Sequence, residues 1–139
     1  MSAVYEHHHT VLDSEIDMQQ HANNVCYLHW FQDAAVAHSA DRGWPSSRYQ
    51  KEGIAWVARS HFLEYLAPAF AGDELVIRTW ISDFRRVTSQ RRYELRRTPD
   101  DTVLASGETK WAFVTIATGA PRRIPEEVLQ AFEVLADSE

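Results

Sequence analysis

Residues 23–43 of the chain read NNVCYLHWFQDAAVAHSADRG. Apolar side chains recur in this stretch at steps of three and four residues, the spacing of a helix with one buried face. An asparagine at residue 23 or 24 is a suitable N-cap, and Gly43 followed by Pro45 ends the pattern. The stretch therefore predicts one long helix of about 18 residues, with a buried stripe formed by Tyr27, Leu28, Phe31, Ala34, Ala35 and His38.

Segments with strand character lie on both sides of this helix. Residues 4–12 are β-branched in part and lack a helical period, and residues 13–24 form a polar loop. Four later segments are rich in β-branched and aromatic residues and are separated by turn signals; they are 54–66, 75–84, 87–97 and 103–118. The second and third of these form a hairpin around Arg85-Arg86. A polar link precedes Ile54, and residues 126–136 predict a short C-terminal helix.

These elements predict an α+β domain that spans residues 1–139. The length of 139 residues is that of one domain. An antiparallel sheet of about five strands wrapped around one long central helix is the most economical packing, because the helix stripe and one sheet face then bury each other. Such a sheet has two edges, and pairing edges across a dimer is one way to cover them.

Composition excludes several classes of protein. A net charge of −6 argues against nucleic-acid binding. No apolar run approaches the roughly 20 residues that cross a bilayer, and residues 1–10 do not resemble a secretory signal, so we expect a cytoplasmic protein with no membrane partner. The single cysteine, Cys26, excludes an internal disulfide and a cysteine-based zinc site. We expect no metal at His7, His8 and His9, because neighbouring strand residues point to opposite faces.

The positive charge is concentrated locally. Six of the 14 lysines and arginines are the arginines at 85, 86, 91, 92, 96 and 97, and two more stand at 122 and 123. The four in strand 87–97 point to two faces and cannot form one patch. Arg85 and Arg86 at the hairpin tip, with Arg122 and Arg123 after the last strand, are the better candidates for an anion site.

The densest group of polar functional residues lies in the loop before the long helix. It contains Asp17, Gln19, His21 and Asn23. A helix N-terminus presents unpaired N–H groups and a partial positive charge, which stabilise a developing oxyanion. A carboxylate placed there can act as a general base or as a nucleophile in acyl transfer.

Residues 17–28 read DMQQHANNVCYL. This motif resembles the 4-hydroxybenzoyl-CoA thioesterase-like branch of the hotdog superfamily, whose loop reads Asp-x-x-Gly-His-x-Asn-Asn before a helix that contains a tyrosine. It is closer still to plant acyl-ACP thioesterases, with Asp-x-Asn-x-His-x-Asn-Asn. Gln20 replaces the glycine of the first pattern, and Gln19 replaces the first asparagine of the second. The resemblance continues through Glu64-Tyr65-Leu66, Pro68, Gly72-Asp73-Glu74-Leu75 and Trp111, and covers residues 4–125.

The resemblance implies a hotdog-fold enzyme that hydrolyses acyl thioesters of coenzyme A (CoA) or acyl carrier protein, needs no cofactor, and forms a homodimer or homotetramer. Asp17 would be the general base or the nucleophile. His21 and Gln19 would assist it, and Asn23 would form hydrogen bonds within the site. Backbone N–H groups near the helix start would polarise the thioester carbonyl, and substrate contacts are expected from Asn24, Val25 and Tyr27. The four arginines 85, 86, 122 and 123 would meet the nucleotide and phosphates of coenzyme A.

Two other interpretations stay open. A hotdog dehydratase or hydratase would pair a histidine from a separate loop with a carboxylate on the helix, but the helix offers only Asp33. A non-catalytic module that binds acyl thioesters is favoured by Gln19 and Gln20 and opposed by Asp17. Cys26 is expected to be a buried free cysteine and not a nucleophile.

Overall fold

The computed structural model describes residues 2–138. The helices are α1 (Asn24–Asp41), α2 (Ser46–Glu52) and α3 (Glu126–Ala131), and the strands are β1 (Tyr5–Thr10), β2 (Ile54–Tyr65), β3 (Glu74–Phe84), β4 (Thr88–Thr98) and β5 (Thr102–Thr115). The strands form one antiparallel sheet in the order β1-β3-β4-β5-β2. The predicted α+β class is confirmed. None of the helices within residues 2–138 combines the length and the apolar character that crossing a bilayer requires.

Helix α1 begins and ends where the sequence predicts. Its N-cap is Asn23, whose side-chain oxygen accepts a hydrogen bond from the Val25 N–H at 2.9 Å. Phe31 on its buried face stacks on Tyr93 of β4, with ring centroids 4.7 Å apart. A Cβ on Gly107 of β5 would lie 2.9 Å from Cε2 of Phe31, so this glycine lets the helix approach the sheet closely. The helix therefore lies against the inner face of the sheet, as predicted.

The buried side chains form two clusters along the length of α1. The first lies beneath the N-terminal half of α1, and it includes Tyr27, Trp30, Phe31, Tyr93, Leu95 and Leu104. The second lies where α2 and α3 meet the sheet, and it includes Trp44, Tyr49, Ile54, Phe113 and Val128. The two ends of the molecule therefore differ: the loop before α1 belongs to the first cluster, and the short helices cover the second.

Three of the predictions are wrong: one helix was not predicted, and two elements end earlier than predicted. The polar link before Ile54 contains helix α2, which follows Pro45 and ends at Gly53 in the left-handed conformation with φ of 74°. Strand β5 ends at Thr115 and not at 118, because a turn closes there when the Gly119 N–H donates to the Thr115 carbonyl. Helix α3 ends at Ala131 and not at 136. The chain beyond it is extended and runs beside β3, where the Leu135 N–H donates to the Ile81 carbonyl.

Strand β2 forms one edge of the sheet. It pairs with β5 through 11 of its 12 residues, and within residues 2–138 no strand pairs with its other side. Large apolar side chains are exposed along it, with Phe62 60% and Tyr65 46% accessible. The other edge strand, β1, has only six residues. The long apolar edge of β2 is the more favourable of the two for pairing with another chain.

Candidate active site

The loop before α1 is a tight hairpin that begins and ends on Asp17 and His21. The Asp17 N–H donates to the His21 carbonyl at 3.0 Å, and the Gln20 N–H donates to the Asp17 carbonyl at 3.1 Å. Ile16 and Ala22 pair on either side. Gln20 has a φ of 69°. This is a three-residue loop that ends in a left-handed residue. The resembling family has glycine at this position, which is the residue that adopts a positive φ most easily.

The Asp17 carboxylate faces an open pocket. One of its oxygens accepts a hydrogen bond from the Gln19 N–H at 2.8 Å. The other oxygen forms no hydrogen bond with any residue between 2 and 138. A surface cavity of about 690 Å³ is lined by Ile16, Asp17, Met18, Gln19 and Asn23. The half-buried carboxylate therefore keeps one oxygen available for a ligand or a water molecule.

Among the described residues, the first turn of α1 leaves one backbone N–H unpaired, next along the chain to the pocket residue Asn23. The Val25 N–H is occupied by the Asn23 side chain, and the Cys26 N–H donates to the Asn23 carbonyl at 2.9 Å. The Asn24 N–H has no hydrogen-bond partner among the described residues. Of the two amides predicted to polarise a carbonyl, the one at Asn24 is therefore the free one. It also lies at the positive end of the helix dipole.

Among the other loop residues predicted to act in catalysis, Gln19 contacts the Asp17 carboxylate through its backbone N–H, and the side chains of Gln19, His21 and Asn23 form no hydrogen bond with it among residues 2–138. His21 is half-buried, and its Nδ1 lies 3.3 Å from the Ala22 carbonyl. Gln19 is exposed and contacts Asp17 through its backbone only. Asn23 lines the pocket while it caps the helix. The structure therefore gathers Asp17, Gln19 and Asn23 around one pocket, and His21 is not among its lining residues.

Glu15 holds this loop in place, a role that the sequence analysis missed. Its carboxylate accepts hydrogen bonds from the Leu12 N–H and from the Trp30 indole, and it pairs with His9, each at 2.8 Å. Burial alone would raise the pKa of this carboxyl, but the three partners together lower it. Its backbone carbonyl also accepts from the Asn23 N–H. Glu15 therefore ties β1, α1 and the loop together, and only the fold brings these partners near it.

Tyr27 lies in the core and not at the pocket. It is 2% exposed. Its hydroxyl donates to the Ala67 carbonyl at 3.3 Å and accepts from the Ala69 N–H at 3.0 Å. The Ala22 N–H donates to the Ala69 carbonyl, so these contacts fix the far side of the loop. Within the chain, Tyr27 positions the loop through residues 67–69. The predicted contact of Tyr27 with substrate stays a prediction.

Cys26 is half-buried, less than the fully buried cysteine that was predicted. Its sulfur donates to the Glu15 carbonyl at 3.8 Å. Burial raises the pKa of the thiol, and the negative charges of Glu15 and Asp17 raise it further. A thiol with a raised pKa is a poor nucleophile at neutral pH. The carboxylate of Asp17 is the better placed reactive group of this loop.

The predicted arginines meet at the opposite end of the sheet. Arg85, Arg86 and Arg123 line a second surface cavity of about 470 Å³, and Arg122 is not among its lining residues. The Asp17 loop lies near the start of β3, whereas Arg85 follows its end. Eleven strand residues span roughly 35 Å. Within one chain, these arginines are therefore too far from Asp17 to contact the same thioester group.

Comparison with known proteins identifies the family. A family model for the thioesterase-like superfamily matches residues 11–132. A search of the curated proteins by sequence finds no match. Among solved structures, a 1,4-dihydroxy-2-naphthoyl-CoA thioesterase from Synechocystis is similar, with a TM-score of 0.86 at 16% identity, covering 92% of this chain and 94% of that one.

Two further structures show the same fold. A gentisyl-coenzyme A thioesterase gives a TM-score of 0.85 at 22% identity and covers 93% of this chain and 100% of its own. A hypothetical protein from Staphylococcus aureus, solved in complex with CoA, gives 0.87 at 17% identity, with coverages of 98% and 90%. The predicted hotdog fold is confirmed. Because the family model covers residues 11–132, nearly the whole chain, the protein belongs to the thioesterase-like superfamily.

Proposed function

We propose that the protein hydrolyses acyl thioesters of coenzyme A, with Asp17 as the central residue. The observation that carries the proposal is the Asp17 carboxylate, which has one free oxygen in an open pocket. Asn23 lines the same pocket, and the N–H of the next residue, Asn24, has no hydrogen-bond partner among residues 2–138. The solved neighbours named as CoA thioesterases support the same substrate class. A thioester of acyl carrier protein is a second candidate substrate, since both carriers present the same thiol.

The reaction needs a nucleophile, an oxyanion donor and a proton for the leaving thiol. In the general-base route, Asp17 takes a proton from water as its oxygen adds to the thioester carbon. The Asn24 N–H stabilises the oxyanion. When the carbon–sulfur bond breaks, the thiolate takes the proton back from Asp17. In the nucleophilic route, an Asp17 oxygen displaces the thiolate directly and forms an anhydride. Water then hydrolyses the anhydride, which restores the Asp17 carboxylate and releases the carboxylic acid, whose proton passes to the thiolate.

The working unit is proposed to be a dimer formed by β2. The Tyr65 hydroxyl donates to the Asn24 carbonyl at 3.2 Å, so the active-site loop lies at the Tyr65 end of this strand. In an antiparallel pair of β2 strands related by a twofold axis, the Tyr65 end of one copy lies beside the Ile54 end of the other. The Arg85, Arg86 and Arg123 end of the sheet is the Ile54 end. The dimer therefore brings the loop of one copy to the arginines of the other, where the phosphates of CoA are proposed to bind, with Arg122 nearby.

Hydrolysis is tested by following thiol release from short, long and aromatic acyl-CoAs. We expect Asp17→Asn to lower kcat by about 100-fold or more, the usual effect of removing a positioned base or nucleophile. Asp13→Asn is the matched control, because Asp13 is an exposed carboxylate four residues away and outside the pocket. Equal activity of the wild type and Asp17→Asn would contradict the proposal. Binding without turnover of any acyl-CoA would favour the non-catalytic module.

The two routes are separated by a single turnover in water labelled with ¹⁸O. A nucleophilic Asp17 leaves one labelled oxygen on its own carboxylate when water attacks the anhydride at that side, and the label is found in the peptide by mass spectrometry. A general base leaves the label only in the released acid. A dehydratase is disfavoured, because Asp33, the carboxylate in the middle of α1, is exposed to solvent.

A further inference from the structure

A cavity of about 400 Å³ lies at the other end of α1 from the Asp17 loop. It is enclosed by the C-terminal half of α1, by α2, and by the inner face of the sheet. Its walls are mainly apolar and include Trp44, Tyr49, Trp56, Ile81, Trp111 and Phe132. The volume is within the range of small-molecule pockets. An aromatic or aliphatic group of moderate size fits the chemistry of these walls.

Among residues 2–138, one charged side chain lines this cavity. Arg91 of β4 is 5% exposed. Its Nη1 donates to Nδ1 of His38 at 2.9 Å and to Oγ1 of Thr79 at 3.0 Å. Among residues 2–138, no carboxylate lies within ion-pair distance of it, and its Nε and Nη2 have no hydrogen-bond partner. Arg91 is therefore a buried cation whose charge is not neutralised by any carboxylate among residues 2–138.

His38 does not supply the missing negative charge. An arginine can only donate hydrogen bonds, so Nδ1 of His38 must accept and the imidazole is neutral, with its proton on Nε2. A buried cation is costly unless an anion pairs with it. A ligand with a carboxylate at the end of an apolar body would fill the cavity and also provide that anion.

The position of the cavity fits the proposed dimer. Its lining residues on α1 are 11 to 15 residues beyond Asn24, roughly 16–23 Å along the helix axis. The Asp17 loop of the same chain is therefore distant. The cavity lies at the Ile54 end of β2, with Ile54, Ala55 and Trp56 among its walls. In the antiparallel pair of β2 strands, this end faces the Asp17 loop of the second copy.

We propose that this cavity binds the acyl part of the substrate, and that Arg91 selects acyl groups ending in a carboxylate, the monothioesters of dicarboxylic acids. The inference rests on the proposed function for the position of the thioester at Asp17. The apolar walls hold the chain or ring of the acyl group. The guanidinium of Arg91 pairs with the distal carboxylate through the donors that the chain leaves free.

The test compares two acyl-CoAs of equal length, octanoyl-CoA and suberyl-CoA, which differ by the terminal carboxylate. We expect the wild type to prefer suberyl-CoA in kcat/KM by about 10- to 100-fold, the range for a charge-assisted hydrogen-bonded pair. Arg91→Met should remove this preference, so that kcat/KM becomes equal for the two substrates. Arg92→Met is the matched control, because Arg92 pairs with Glu108 and Asp137 away from the cavity.

Several results would overturn the inference while leaving the proposed hydrolysis intact. These are equal kcat/KM for the two substrates in the wild type, an unchanged preference in a folded Arg91→Met variant, or equal use of 8-hydroxyoctanoyl-CoA, which would show that charge is not selected. If circular dichroism shows that Arg91→Met does not fold, the inference is judged on the wild type alone, by its ratio of kcat/KM for suberyl-CoA to that for octanoyl-CoA.

Failure of the proposed hydrolysis can be distinguished from failure of the proposed carboxylate site. If the wild type hydrolyses no acyl-CoA, binding of free suberate is measured by the fluorescence of Trp44, Trp56 and Trp111, which line the cavity. Saturable quenching in the wild type and not in Arg91→Met supports the carboxylate site without catalysis. Absence of quenching in the wild type overturns it.

Discussion

Gln20 adopts a backbone conformation that suits glycine. Its φ of 69° closes the hairpin of the active-site loop. An L-residue in this region costs roughly 1–2 kcal/mol, and a glycine does not bear that cost. The resembling family has glycine here, so this chain has kept the turn with a less suitable residue. Gln20 therefore differs from the family's glycine in its side chain, while the backbone keeps the left-handed conformation that glycine favours.

Substitutions at Gln20 test this backbone conformation. We expect Gln20→Gly to keep both activity and the free energy of unfolding, because relief of the strain offsets the greater flexibility of glycine in the unfolded chain. Gln20→Val should lower the free energy of unfolding by about 1–2 kcal/mol, because a β-branched residue is least tolerant of positive φ. Urea denaturation measures both. A Gln20→Val variant as stable as the wild type would contradict the left-handed turn.

Helix α1 depends on Asn23 at its start. The side chain caps the helix and also lines the pocket. Replacing an N-cap asparagine with alanine costs about 1 kcal/mol.

We therefore expect Asn23→Ala to lower the free energy of unfolding by that amount and to reduce kcat, because the first turn then positions the Asn24 N–H less firmly. Thermal denaturation and thiol release are the two measurements. Asn23→Asp retains the accepting oxygen and serves as the control for stability. Equal loss of stability in both variants would show that the cap is not the cause.

The elements differ in how well the sequence predicts them. Helix α1 is long and periodic, so its bounds follow from the pattern and from its caps. Helix α2 has seven residues and one buried side chain, Tyr49, which is too little to produce a visible period. Pro45 and Gly53 mark its ends, and these two residues were the sequence signal from which the helix could have been predicted. Helix α3 stops early because the chain pairs with β3, a contact between distant residues that no local pattern shows.

The candidate site divides in the same way. Asp17 and the helix start are adjacent in sequence, so their spacing and their resemblance to a family predict them. The availability of the Asn24 N–H depends on which neighbours already use the other amides, and that requires coordinates. The contact between Arg91 and His38 joins residues 53 positions apart. The sequence therefore predicts that Arg91 faces one side of a strand, but not that it lines a cavity.

At the scale of the whole molecule, acid should weaken the fold through His38. Burial, followed by the charges of Arg91 and Arg42, lowers the pKa of His38 to about 3. The unfolded chain binds a proton near pH 6.5 and the folded chain does not, so stability is lost as the pH falls from about 6.5 toward 3. The expected loss is about 1.4 kcal/mol per pH unit.

The measurement is urea denaturation between pH 5 and 6.5, on the wild type and on His38→Asn. Asparagine has an oxygen that can accept from Arg91 and does not titrate, so the slope of stability against pH should be smaller in the variant. This range lies above the usual pKa of carboxyl groups. If stability changed equally with pH in the two proteins, protonation of His38 on unfolding would not be the cause of the pH dependence.

The proposed dimer makes a second prediction at this scale. Phe62 is 60% exposed on β2 and should become buried when two copies pair. A charge there, as in Phe62→Asp, should convert the dimer to a monomer and remove hydrolysis while the circular dichroism of the chain is preserved. Light scattering after size exclusion measures the mass. Leu135→Asp, at an apolar residue 44% exposed away from β2, is the control. A dimeric Phe62→Asp variant would place the interface elsewhere.

The free side of β2 also matters while the protein is being made. A newly folded chain presents a row of backbone groups that any extended segment in a crowded cell can join, so aggregation competes with correct assembly until that side is covered. The strand is not uniform along this row. The register shifts between Ala58 and Ser60, which leaves the exposed Arg59 as an extra residue at the bulge. Bulges and charges discourage indiscriminate strand addition, so the Arg59 bulge should reduce such pairing at the middle of β2 before the edge is covered.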